Sequence, residues 1–171
     1  VCIADLERMD GSPYGVDSRG VLKRAIAGYT ERGLVPVLGP ELEFYLCMPD
    51  PTAPNGYRRY VDNDSHVYTV GAVADPKNLL RRMLHASADM RLNTYAANHE
   101  FGRAQYEINL RHSDALDASD RAYLFKDLVK EMAALDGLLA TFIGKPWNDD
   151  EGSGFHLHLS LSDDSGANLL N

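Results

Sequence analysis

Three short runs of this sequence alternate between apolar residues and residues with chemistry to offer. In Phe155-His156-Leu157-His158-Leu159-Ser160-Leu161, which follows Gly152-Ser153-Gly154, an extended backbone puts His156, His158 and Ser160 on one face and four apolar side chains on the other. Pro40-Glu41-Leu42-Glu43-Phe44-Tyr45-Leu46 aligns Glu41 with Glu43 opposite Leu42, Phe44 and Leu46. Gln105-Tyr106-Glu107-Ile108-Asn109-Leu110 sets Gln105, Glu107 and Asn109 against Tyr106, Ile108 and Leu110, and Glu100 lies seven residues before Glu107 across a turn expected at Gly102. A merely solvated strand face would more often carry Lys, Glu or Thr than two imidazoles and a hydroxyl. If the three strands share a sheet, Glu41, Glu43, Glu100, Glu107 and His156 converge, and such a cluster repels itself strongly unless cations neutralise it.

A metal site is the economical explanation. Carboxylate oxygens with a single imidazole suit hard or borderline divalent ions, so Mg²⁺ or Mn²⁺ is expected in preference to the thiolate-bound metals. Five candidate ligands are many for one ion. Two neighbouring ions would suit phosphoryl transfer, in which metals bridge phosphate oxygens and offset developing charge. Each pair is weak taken singly, since Glu-x-Glu on a strand is usually a solvated face and His-x-His is usually structural. Their joint appearance carries the expectation.

Taken in order, Gly39-Pro40-Glu41-Leu42-Glu43-Phe44, His99-Glu100, Gln105-Tyr106-Glu107 and the run from Gly152 to Leu161 resemble the catalytic domain of the glutamine synthetase family, which includes γ-glutamyl-amine and polyamine ligases. The resemblance spans nearly the whole chain. It implies that Glu43, Glu100 and Glu107 hold one metal ion and Glu41 with His156 another. It implies also that His158 and Ser160 lie along bound ATP and that Gly152 contacts the amino-acid substrate. The activity implied is ATP-dependent ligation of ammonia to the γ-carboxylate of glutamate through γ-glutamyl phosphate, by a homo-oligomeric ring. Three departures from the family pattern bear on the acceptor. Glu151 stands where Asn usually precedes the glycine and adds a negative charge near the expected substrate pocket. Phe101-Gly102-Arg103-Ala104 lacks the Ala-Pro-Gly often found between the two glutamates, and Tyr95 occupies a position where ammonia-using members commonly carry an acid. These resemble the looser pattern of relatives that ligate glutamate to a polyamine or other amine, which is the alternative function. A non-catalytic assembly paralogue is a second alternative, opposed by the intact ligand set, and a His-x-His metallohydrolase a weaker third.

Helices that could cover these strands are also readable in the sequence. Asp17 is expected to cap a helix over 18–32, with Val21, Leu22, Ala25, Ile26 and Tyr29 on its inner side and Gly33 as its stop. Asp75-Pro76 is expected to start a second helix running to about Arg91 through Leu79, Leu80, Met83, Leu84 and Met90. Ser119 is expected to open the longest, whose apolar stripe runs from Leu124 and Phe125 through Leu138, Leu139 and Phe142 to a stop at Gly144-Lys145-Pro146. Residues 50–65 read as a loop or hairpin with Tyr57-Arg58-Arg59-Tyr60 as a surface patch, and His66, His85 and His112 as structural or exposed. The fold class is α+β: a mostly antiparallel sheet with an acidic metal-binding face and helices on the other face.

Composition bounds the remainder. With 171 residues, 44% hydrophobic and 25% charged, the chain reads as one domain. A net charge of −8 without a basic stripe argues against nucleic acid. No apolar run approaches the roughly 20 residues of a membrane span, and the first residues lack a signal-peptide pattern, so no membrane partner and a cytoplasmic location are expected. Cys2 and Cys47 fit no paired metal spacing and read as reduced, buried thiols as readily as anything else. Val1 opens without an initiating Met, and Leu169-Leu170-Asn171 follow a turn-like Asp163-Asp164-Ser165-Gly166 that should lead into another element. Residues 1–171 are therefore expected to be a single, incomplete catalytic domain, inactive by itself. By the resemblance it lacks the amino-terminal β-grasp domain and the arginine-rich carboxy-terminal part.

Overall fold

Strand β1 (Val35–Pro49) is the axis of the structure, a computed structural model that describes residues 1–62 and 66–170. On one flank it pairs with β7 (Phe155–Ser162) and then β6 (Leu139–Thr141). On the other it pairs with β5 (Ser113–Asp114), β4 (Gln105–Leu110) and β2 (Tyr57–Arg59) in turn. β3 (Thr94–His99) pairs only with β4, and every one of these pairings is antiparallel. The three alternating runs of the sequence thus lie side by side in one sheet, β7 and β4 flanking β1.

The same alternation builds the core. Leu42, Phe44 and Leu46 of β1 and Tyr106, Ile108 and Leu110 of β4 are buried beneath two helices, α2 (Leu79–Asp89) and α3 (Ala115–Leu135). Leu79 and Met83 come from α2, and Phe125, Val129 and Ala133 from α3. Each fully buried side chain of this size contributes about 1.5–3 kcal/mol, so the helix layer fixes which face of the sheet is left for polar groups.

The structure corrects the helix boundaries. α1 (Ser18–Thr30) is capped as expected, with the Asp17 carboxylate accepting from the Gly20 N–H at 2.8 Å, but Val21, Ala25 and Tyr29 are exposed. Helical periodicity defines an apolar face without guaranteeing a cover, and α1 lies beside β1 and α3 rather than under them. α2 begins at Leu79, three residues beyond the expected Pro76; Asp75 still serves it, accepting from the Leu80 N–H at 2.8 Å across a left-handed Asn78. α3 starts at Ala115, capped by Asp114, and Ser119 lies inside it, donating to the Ala115 carbonyl at 2.7 Å. It ends at Leu135, where Gly137 (φ +71°) turns the chain and the Leu138 N–H returns to the Ala133 carbonyl. Leu139 and Phe142 therefore belong to a strand and its exit, with Phe142 packed on Phe44 at 5.5 Å.

The 50–65 excursion is a β1–β2 hairpin as far as it is described; residues 63–65, like Asn171, lie outside the described residues. Its expected surface patch is corrected too: Tyr60 is buried, and Arg59 is turned inward. Phe155, Leu157 and Leu159 on the apolar side of β7 are more than half exposed, because α3 packs on β1 and α2 on β3 while neither packs on β7. No helix among the described residues is long and apolar enough to cross a membrane.

Candidate metal centre

Directly opposed residues of antiparallel strands share a face, and two rows of such residues cross the sheet. His156, Glu41 and Asn109 form one; Glu43, Glu107 and Asn98 form the next, with the Gly154 carbonyl accepting from the Glu43 N–H. Glu41 sits between two imidazoles, with His158 Nε2 at 3.2 Å from Oε1 and His156 Nδ1 at 3.7 Å from Oε2. His156 Nδ1 also lies 3.8 Å from Glu43 Oε1. Donor atoms of Glu41, Glu107 and His156 all fall within 4.8 Å of one another. Ligands on opposite sides of a divalent ion bound at about 2.0–2.6 Å are roughly 4–5 Å apart, so this spacing fits an ion without rebuilding the strands.

The surrounding hydrogen bonds orient the carboxylates. Glu43 Oε2 accepts from Gln105 Nε2 at 2.8 Å and from the Gly154 N–H at 2.9 Å, leaving Oε1 towards His156. Glu107 accepts from Asn109 Nδ2 at 2.9 Å. Glu100, just past the end of β3, is half-buried; burial, with Glu107 and Glu43 adding repulsion, pushes its carboxyl above the ordinary range. Gly154 supplies a cradle: a Cβ at this position would stand 2.8 Å from His156 Nε2 and 2.9 Å from Glu43 Oε1. Only glycine leaves both donors their space, and a donor set of carboxylates with one imidazole is chemically suited to Mg²⁺ or Mn²⁺.

The structure brings Glu41, Glu43, Glu100, Glu107 and His156 to one neighbourhood, though the triad whose donor atoms fall within 4.8 Å of one another among the described residues, Glu41, Glu107 and His156, takes members from both of the expected ligand sets. His158 lines an open cleft of about 430 Å³ with Gly39, Glu41, Tyr95, Arg111 and His112, beside the acidic cluster. Ser160 lies farther along the same face of β7, 3.4 Å from Asn168 Oδ1. Gly152 and Glu151 lie on the loop into β7: the Gly152 carbonyl accepts from Gln105 Nε2 at 2.9 Å, and the Glu151 carbonyl from the Tyr45 hydroxyl at 2.7 Å. The Glu151 side chain is exposed, and Lys145 donates to the Asp150 carbonyl at 2.8 Å.

That loop is held by residues that sequence reasoning missed. Arg59 donates to Asp150 and Asp149, each at 2.7 Å, while its guanidinium stacks 4.8 Å over Trp147, whose ring meets Tyr45 edge-on at 5.1 Å. Arg103 adds bonds to Asp62, Asp149 and Asp150. Arg59 and Asp150 are 91 residues apart, so no local pattern announces the pair. The adjacent Asp149-Asp150 before a glycine-rich strand entry was the one available signal.

Comparison with known proteins follows the same lines. The sequence profile described as glutamine synthetase, catalytic domain, matches residues 15–171. A glutamine synthetase of Pyrococcus abyssi is 36% identical over 152 residues, covering 89% of this chain and 34% of that protein. The gamma-glutamylputrescine synthetase PuuA of Escherichia coli is 35% identical over 171 residues, covering 94% of this chain and 36% of that protein. A solved structure described as a GmaS/ADP complex superposes with a TM-score of 0.87 at 30% identity, over 98% of this chain and 38% of that one. The chain spans about a third of the length of the curated relatives it matches.

Proposed function

We propose, from the premise that this chain belongs to the glutamine synthetase catalytic-domain family, that it carries the metal-binding part of an enzyme that uses ATP to join ammonia or another amine to the γ-carboxylate of glutamate. The observation that carries this reading is the convergence of Glu41, Glu107 and His156 within 4.8 Å on one sheet face, with Glu43 and Glu100 beside them. Glu41, Glu43, Glu100, Glu107 and His156 would hold two divalent ions, Mg²⁺ or Mn²⁺. Bound there, such ions offset the negative charge of phosphate oxygens during phosphoryl transfer.

The chain's own residues supply orientation and access. His158, 3.2 Å from Glu41 and facing the cleft, and Ser160 beyond it would lie along the phosphates of ATP. Gly152 would present backbone to glutamate, since a Cβ there would stand only 3.0 Å from the Gly144 carbonyl. Glu151, exposed beside it, would meet the acceptor. Similarity to both a glutamine synthetase and a gamma-glutamylputrescine synthetase, at 36% and 35% identity, supports the ligase class and leaves ammonia and larger amines as the two acceptors to compare. Residues 1–171 are read as part of one catalytic domain of a homo-oligomeric ring, with glutamate and ATP as the remaining partners. A cytoplasmic location is our reading as well, supported by Cys2 and Cys47 both being free thiols.

The test uses the full-length protein with ATP, glutamate and Mg²⁺, offering ammonium and putrescine in separate reactions. ADP release that requires both glutamate and the ion, with the γ-amide identified by mass, is the expected result. ADP release that ignores glutamate, or none with either amine, would overturn it.

A further inference from the structure

The buried amide of Gln105 bonds both to Glu43, 62 residues before it, and to the Gly152 carbonyl, 47 residues after it. We propose that Gln105 is a positioning residue that couples occupancy of the metal centre to the order of the loop carrying Gly152; this rests on the metal reading above.

The geometry gives the amide one orientation. Gln105 is 1% exposed, and its Nε2 donates at 2.8 Å to Glu43 Oε2 and at 2.9 Å to the Gly152 carbonyl, while its Oε1 accepts from the Gly102 N–H at 2.9 Å. Both amide hydrogens are used. Turning the amide over would set its oxygen against a carboxylate and a carbonyl and its nitrogen against an N–H, which three unfavourable contacts forbid. Glu43 Oε2 is gripped a second time by the Gly154 N–H, so the two bonds to this oxygen decide that Oε1 points to His156. A cation drawing on Glu43 therefore pulls, through one rigid amide, on the carbonyl of Gly152. Gly152 has little room to retreat, because the neighbouring Ser153 N–H is bonded to the Gly144 carbonyl at 2.8 Å and even a Cβ on Gly152 would stand 3.0 Å from that oxygen. Linkage requires the effect to run both ways: a loop held in place favours the Glu43 geometry that an ion needs.

A residue that only filled space would be replaceable by methionine, which has nearly the same length and no donor. The experiment compares wild type with Gln105→Met in the full-length protein, titrating Mg²⁺ by calorimetry and following amide hydrogen exchange of residues 145–154 with and without saturating Mg²⁺. In wild type, Mg²⁺ slows exchange in this loop. In Gln105→Met the Mg²⁺ dissociation constant rises about 10–100-fold, the range for losing a partner behind a metal ligand, and at saturation the slowing is lost. Gln105→Glu, which keeps the length and an acceptor for Gly102, takes its place where circular dichroism shows the methionine variant unfolded. Equal slowing in wild type and variant would overturn the coupling, as would wild-type protein that binds Mg²⁺ with no change in loop exchange. Wild-type protein that binds no Mg²⁺ would overturn the metal reading and this inference together.

Discussion

Gly102→Ala tests the packing that holds the loop carrying Gly152 against the acidic strands. A Cβ at residue 102 would lie 2.0 Å from the Tyr45 hydroxyl oxygen, 2.7 Å from Gln105 Oε1 and 2.8 Å from Tyr45 Cζ. Tyr45 cannot swing aside: it is fully buried, its ring abuts Trp147 at 5.1 Å and its hydroxyl is committed to the Glu151 carbonyl. Overpacking of a filled site costs about 1–3 kcal/mol. Loss of the Tyr45–Glu151 bond adds about 0.5–1.5 kcal/mol, so the two together come to roughly 2–4 kcal/mol. In urea, with a slope of about 2 kcal/mol/M, the unfolding midpoint should fall by about 1–2 M. Gly15→Ala is the control, since nothing lies within 4 Å of a Cβ there, and its midpoint should stay near wild type. Tyr45→Phe removes the 2.0 Å contact, so Gly102→Ala should cost less in that background than alone. A Gly102→Ala midpoint equal to that of the Gly15→Ala control would refute the reasoning. An undiminished cost in the Tyr45→Phe background would clear the hydroxyl of being the obstacle.

Four further outcomes are expected. Gly154→Ala should lower Mg²⁺ or Mn²⁺ affinity by at least about 10-fold in calorimetry while leaving the urea midpoint nearly unchanged, because its Cβ would displace the tips of His156 and Glu43 rather than backbone; unchanged affinity would count against the cradle. Burial pushes the Cys47 thiol up to about 12, so at pH 8 only exposed Cys2 should react quickly with a thiol reagent, and both should react in denaturant. Arg59→Met should cost about 2–3 kcal/mol in urea, somewhat below the usual penalty for stranding a buried carboxylate, because Arg103 still reaches Asp150; a cost below that of a surface substitution would contradict the buried-latch description. The 171 residues alone should bind Mg²⁺ yet release no ADP in the ligase assay, since Arg59 and Arg103 are already paired with Asp62, Asp149 and Asp150, which leaves Arg111 as the one arginine, among the described residues, lining the cleft beside His158.

Much of this architecture was legible along the chain because strand parity is a local property. Glu41 and Glu43, Glu107 and Asn109, and His156 and His158 had to share faces once their segments were extended, and the apolar residues between them had to mark the core side. The helix errors have equally local causes. Asp136-Gly137 is a stop signal hidden inside a continuing apolar stripe, and Asn78 in the left-handed region lets Asp75 cap from outside a turn rather than from the helix start. Arg59 reads as surface along the chain because its partners, Trp147, Asp149 and Asp150, come from the far end of it.

By itself, the sequence determined the residue types of the site, their faces and the α+β class, because periodicity and donor chemistry are written residue by residue. Tertiary structure alone decided that β7 lies beside β1 in the register opposing His156 to Glu41, and that Gln105 and Tyr45 tie the acidic strands to the Gly152 loop. Register across distant strands depends on which hydrogen bonds and side chains fit when the whole core closes, and no spacing within one strand encodes that choice.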